Sequence, residues 1–268
     1  MALWNRRREN VGRREARSID ELVTQIAQDK SINRFAPRPI GAERPRDVFL
    51  KAAETLAEPL VALGWRFAAS GPHATRKSKN VTCKLQFGSS SLNVAGELVS
   101  MRIDFIIRDA DLGRWRMAAE RPRRQDDVVQ TRHLGHLLDP PRWLEWNLAD
   151  SRDRPRTIRD ASDTLAAVGM PYIEDLTSLL SAADVIPPDL VGRVEEESLL
   201  EYYVRAGLID ETRPLISAIL DRFHNGARAH FVAQVERFRS DGLPAVQLLG
   251  LPNGLAFLVV QHDLPVDL

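Results

Sequence analysis

The sequence predicts an α+β protein: an antiparallel sheet packed with helices, followed by a mainly helical C-terminal region that ends in a hairpin. Three observations carry this expectation. From Phe49 to Leu63 apolar residues recur at spacings of three and four, which lays one buried stripe along a helix. From Val81 to Phe87, and again from Met101 to Ile107, apolar and polar residues alternate in the period-two pattern of strands with one buried and one wet face. After Pro187-Pro188 the helical spacing returns in three segments separated by Gly207, Gly226 and Gly242.

The chain of 268 residues can bury a core of ordinary size without disulfides or metals. Its 37 basic and 37 acidic residues leave no global field to attract nucleic acid or a membrane, so an electrostatic partner must be met locally. The one marked local imbalance is at the start, where Arg6, Arg7 and Arg8 are followed by Arg13, Arg14 and Arg17 and opposed only by Glu9 and Glu15. The single cysteine, Cys83, excludes an intramolecular disulfide and suits a reducing compartment. The first residues are charged and the longest apolar runs are short, so a cytoplasmic protein with no membrane span is expected.

Residues 1–44 read as a basic arm, a short helix capped by Ser18, and a proline-rich linker holding Pro37 and Pro39. Residues 45–184 form the expected α+β domain. Asp47 caps its first helix, Pro59 bends it, and Gly64 ends it before the strand WRFAAS. GPHATRKSKN is a turn with a basic run, VTCKLQFG a strand, and Met101 to Ile107 another strand that a turn at Asp109 to Gly113 closes. Trp115 and Met117 continue it briefly, AAERPRRQDDVVQTRH is a polar, proline-broken loop, and RWLEWNLA is a last strand. A helix from Thr157 stops at Gly169, and MPYIEDLTSLL adds a short helical segment. Residues 185–268 make the helical region, whose two apolar runs AVQLLGL and LAFLVV, joined at Asn253-Gly254, predict a terminal β-hairpin.

A helix ending Leu63-Gly64-Trp65, basic strands, the strand VTCKLQF, the tryptophans of WLEWNLA and a closing GMPYIEDL together resemble the bacterial domain of unknown function family 4304. The likeness covers residues 47–182 and rests on apolar and aromatic patterns. It implies an α+β domain with helices on an antiparallel sheet, and supplies no catalytic residue to carry over.

The candidate chemistry is sparse. Cys83 falls on the buried side of its strand, where a thiol behaves as a small hydrophobe rather than a nucleophile. His133 and His136 could share a helical face as half a metal site, but the glutamate of HExxH is absent, and solvated loop histidines account for them. His224 and His230 flank a helix junction and suit helix ends. Gly88-Ser89-Ser90-Ser91 lacks a phosphate-loop lysine and reads as a turn. No cofactor and no catalytic set are expected.

Two binding surfaces remain. Arg76, Lys77 and Lys79, with Arg6, Arg7 and Arg8 of the arm, could meet phosphate or an acidic protein face. Trp115, with Trp143 and Trp146, could form an interface hot spot, although core packing explains tryptophans equally well. The leading expectation is a non-catalytic protein that acts by binding a protein partner, including the immunity or toxin-neutralising kind. The alternatives are a small-ligand or enzymatic domain using the sheet face, and nucleic-acid binding through the arm.

Overall fold

The computed structural model describes residues 43–119, 126–182, 187–223, 226–244 and 251–266. The first helix, α1 (Pro45–Ala62), begins two residues before Asp47: Arg44 is the cap, Pro45 holds the first-turn φ, and Asp47 places its charge near the positive helix end. Pro59 lies inside it without ending it. Its stripe from Phe49 through Ala52, Ala53 and Leu56 to Leu60 is buried, whereas Leu63, predicted to continue it, is the exposed C-cap.

Five strands follow one another in space as they do in sequence: β1 (Arg66–Ala68), β2 (His73–Ser78), β3 (Val81–Gly88), β4 (Ser100–Asp109) and β5 (Val128–His133), all antiparallel. A two-residue β6 (Trp146–Asn147) pairs with the start of β4, so RWLEWNLA contributes far less strand than its alternation predicts. The basic run is a correction too, because Arg76 and Lys77 belong to strand β2 and only Lys79-Asn80 make the turn.

Two further expectations fail at the end of β4. Asp109 caps a helix, accepting from the Asp111 N–H at 2.8 Å, and α2 (Ala110–Ala118) replaces the predicted turn and strand continuation. The polar stretch after it holds β5, whose buried residues include Gln130 and His133, so its alternation cannot be read from hydropathy. Gly169 also fails to stop its helix. The chain runs from α3 (Arg154–Thr164) through a π turn (Leu165–Gly169) into α4 (Met170–Ser181). A Cβ at Gly169 would lie 3.1 Å from the Phe105 ring, so the glycine serves close packing of helix on sheet.

Among the described residues the helices cover one sheet face only. α1 lies on β1 and β2, and α4 lies on β3. The covered face carries Ala74, Cys83, Leu85, Phe105 and Ile107, all fully buried. β5 ends the sheet, and its outer edge is taken by Glu195, whose N–H donates to the Val129 carbonyl and whose carboxylate accepts from the Thr131 N–H.

The C-terminal helices are α5 (Glu196–Arg205), α6 (Ile209–Asp221), α7 (Ala227–Asp241) and α8 (Leu251–Gln261). The terminal hairpin is overturned, because Leu251–Gln261 is helical and Asn253-Gly254 sit in its first turn. The reason lies in the packing. Leu255 to Val259 are buried on every side, so α8 shows no helical stripe, and Gly254 faces Glu197 so closely that any Cβ would collide with it. α5 belongs to both cores: Leu199 and Tyr202 pack with the sheet, whereas Leu200 packs with α6, α7 and α8. Among the described residues no helix is long and apolar enough to cross a membrane.

Candidate functional site

The open face of the sheet follows from the strand register. Residues directly opposite one another share a face, so Arg66, Thr75, Lys84, Ile106 and Thr131 form one row across five strands. Lys77, Thr82 and Arg108 form a second, and His73, Gln86, Asp104 and His133 a third. Every second residue of β4 from Arg102 to Arg108 is half-buried, as expected of a sheet surface that no helix among the described residues covers.

This face is positive. It carries Arg66, Lys77, Lys84, Arg102 and Arg108. Two of these cations are neutralised: Arg102 Nε donates to Asp104 Oδ2 at 3.2 Å, and Arg108 Nη1 to Asp127 Oδ1 at 2.7 Å. Gly88 makes the first pair possible, because the Arg102 side chain lies across it where a Cβ would stand 2.8 Å from Nε. Among the described residues Arg66, Lys77 and Lys84 have no ion-pair partner. Cross-strand diagonals of about 7–8 Å place Lys77 near both Arg66 and Lys84, and set Lys84 near Arg108. Ile106 is the apolar residue at the middle of the patch.

One end of the face is built by the segment after β5. His133 is 5% exposed and stacks on Trp143 with ring centroids 4.2 Å apart and planes 5° from parallel. The Gly135 N–H donates to His133 Nδ1 at 3.1 Å, so the imidazole is neutral with its proton on Nε2. Burial pushes its pKa down, against the pull of Asp104. Trp143 itself is 58% exposed, an indole stacked against the rim. The expectation of two solvated loop histidines therefore holds for the exposed His136 only. Among the described residues no group of three or more potential metal ligands occurs.

Of the sequence-predicted site residues, Arg76, Lys77 and Lys79 border one groove and Trp115 lies apart from them. Arg76 points to the covered side, 5.1 Å above the Trp65 ring and 3.7 Å from Glu174 of α4. Lys77 points to the open side. Lys79, at φ +49° in the hairpin turn, donates from Nζ to the Ser181 carbonyl at the end of α4 at 3.1 Å. The three line a shallow groove of 690 Å³ with Thr177 and Ser178, but two of its cations are already engaged within the chain. Trp115 is an internal contact, half-buried and stacked on His262 at 5.4 Å, where it joins α2 to the segment after α8. Trp146 is buried and donates to Asp160 at 2.7 Å. Arg6, Arg7, Arg8 and His224 lie outside the described residues.

Cys83 is fully buried, and desolvation pushes its thiol up to about 12 despite the nearby Arg76. A thiol so placed is not a thiolate at neutral pH. Comparison of the chain with known protein families, with curated proteins and with solved structures finds no match.

Sequence reasoning missed Lys84, Arg102, Arg108 and Ile106 because they belong to a site only once the strands are in register. The signal that could have found them was the polar half of the alternation in VTCKLQF and MRIDFIIRD, which carries a basic residue at three of its positions, Lys84, Arg102 and Arg108.

Proposed function

We propose that the protein acts without chemistry of its own, by binding another protein through the open face of its sheet. The observation that carries this reading is the asymmetry of the sheet, with one face sealed under α1 and α4 and the other a surface of cations around Ile106 with Trp143 at its edge. An apolar centre ringed by polar groups is the anatomy of a protein interface, and arginine and tryptophan are the side chains most often dominant there. Neutralisation of a toxin partner, as by immunity proteins, is one biological setting that such a surface suits. The silenced Cys83 and the engaged cations of the hairpin groove favour binding over catalysis.

The test is affinity capture from native extract with tagged full-length chain, in parallel with the Lys84→Ala/Ile106→Ala variant. Both substitutions are on the open face and leave the buried side untouched. A protein retained by the wild type and lost by the variant, with unchanged melting temperature, is the expected outcome. Identical captured sets would count against this face.

A further inference from the structure

We infer that the partner presents an acidic protein surface, with carboxylates set against Arg66, Lys77 and Lys84 and an apolar contact opposite Ile106. This rests on the reading of the open face as a protein-binding site and assigns the chemistry of its occupant. The three cations have no carboxylate partner among the described residues, so an acidic surface can meet them without displacing an ion pair there. Their arrangement is fixed by backbone register rather than by loops. Arg66 faces Thr75, Lys84 faces the same Thr75 from the other side, and Lys77 is two residues along β2. With strands about 4.8 Å apart, Arg66 and Lys84 are about 10 Å from each other at the backbone, and Lys77 is about 7–8 Å from both. Carboxylates two strands apart, or on cross-strand diagonals, on a partner's sheet would match these distances.

Nucleic acid would use the same charge, and the structure favours protein for two reasons. Asp104 and Asp127 stand on or beside the face, where they neutralise Arg102 and Arg108 and would repel a continuous line of phosphates. The centre of the patch is Ile106 rather than an aromatic ring or a further cation, and single-strand binders place stacking rings among their cations. A protein partner can match a discrete set of charges and an apolar spot together.

The experiment measures binding of poly-L-glutamate and of a short generic DNA duplex to the full chain at low salt. It is repeated with Lys77→Glu/Lys84→Glu, with Arg66→Glu as an independent variant at the edge strand, and with far-UV dichroism to verify folding. The expected result is salt-sensitive binding of poly-L-glutamate, weakened by about ten-fold or more in the double variant and less in Arg66→Glu. The duplex should bind no more tightly than the polypeptide, and should respond little to these substitutions. Unchanged poly-L-glutamate affinity in both variants would overturn the assignment, as would tighter duplex binding that the variants abolish. Loss of the captured protein in Lys84→Ala/Ile106→Ala without any poly-L-glutamate response would overturn only the acidic chemistry and leave the protein-binding reading standing.

Discussion

Arg116 of α2 and Glu201 of α5 form an ion pair in the interior, Nε to Oε2 at 3.0 Å, with side chains only 1% and 2% exposed. The guanidinium also donates to the Val128 carbonyl at 2.7 Å and to Ser198 Oγ at 2.9 Å, so its charge is satisfied on several sides. Close by, the Tyr202 hydroxyl donates to Asp109 Oδ2 at 2.5 Å. These bonds tie the sheet to the C-terminal helices through polar groups where the two cores meet.

Removing one member of that pair leaves the other buried and uncompensated. Arg116→Met is expected to cost about 3–5 kcal/mol in chemical denaturation, whereas Arg116→Met/Glu201→Leu should recover a large part of the loss. A double variant as unstable as the single would show that the hydrogen bonds to Val128 and Ser198 dominate.

Little of this junction is legible in the sequence. α2 buries an arginine and a glycine, so ADLGRWRMA shows no apolar stripe and reads as a turn. β5 hides in a polar string because two of its buried residues, Gln130 and His133, are stabilised by the Tyr172 hydroxyl and by the Gly135 N–H rather than by hydropathy. By contrast β3 and β4 are legible because each has one wholly apolar face, and α1 because its stripe is continuous. α8 shows the opposite failure: buried all round, it loses the period that separates helix from strand, and Asn253-Gly254 then resembles a turn.

The stability of the fold should depend on pH through His133. Burial lowers its folded pKa below the ordinary value of about 6.5, so the unfolded chain binds the proton more readily. Stability from the neutral ring is fully present above that ordinary value and is lost as pH falls below it toward the folded pKa. Desolvation lowers His262 in the same direction. The melting temperature of the wild type should fall more steeply from neutral to mildly acid pH than that of His133→Gln. Parallel curves would refute the assignment.

Two glycines should respond differently to alanine. At Gly135 a Cβ would stand 2.1 Å from the Arg142 carbonyl oxygen, a backbone atom with no rotamer to change. Gly135→Ala should destabilise by about 3 kcal/mol or more and free Trp143, seen as a shift in indole fluorescence. At Gly88 the obstacle is the Arg102 side chain, which can swing away, so Gly88→Ala should cost about 1 kcal/mol or less while opening the bond to Asp104.

Cys83 should be inert in the folded chain. With the thiol buried and pushed up to about 12, a thiol reagent at mildly alkaline pH should label it at the rate of unfolding, and at once in denaturant. Rapid labelling without denaturant would contradict the covered face described above.

The open face is tested most directly by lysine acetylation of the full chain, purified and in native extract, with the modified sites read by mass spectrometry. Lys77 and Lys84 should be protected in the extract relative to the purified protein, while Lys51, exposed on α1, should react equally in both. Equal modification of Lys77 and Lys84 in the two samples would contradict a partner on this face.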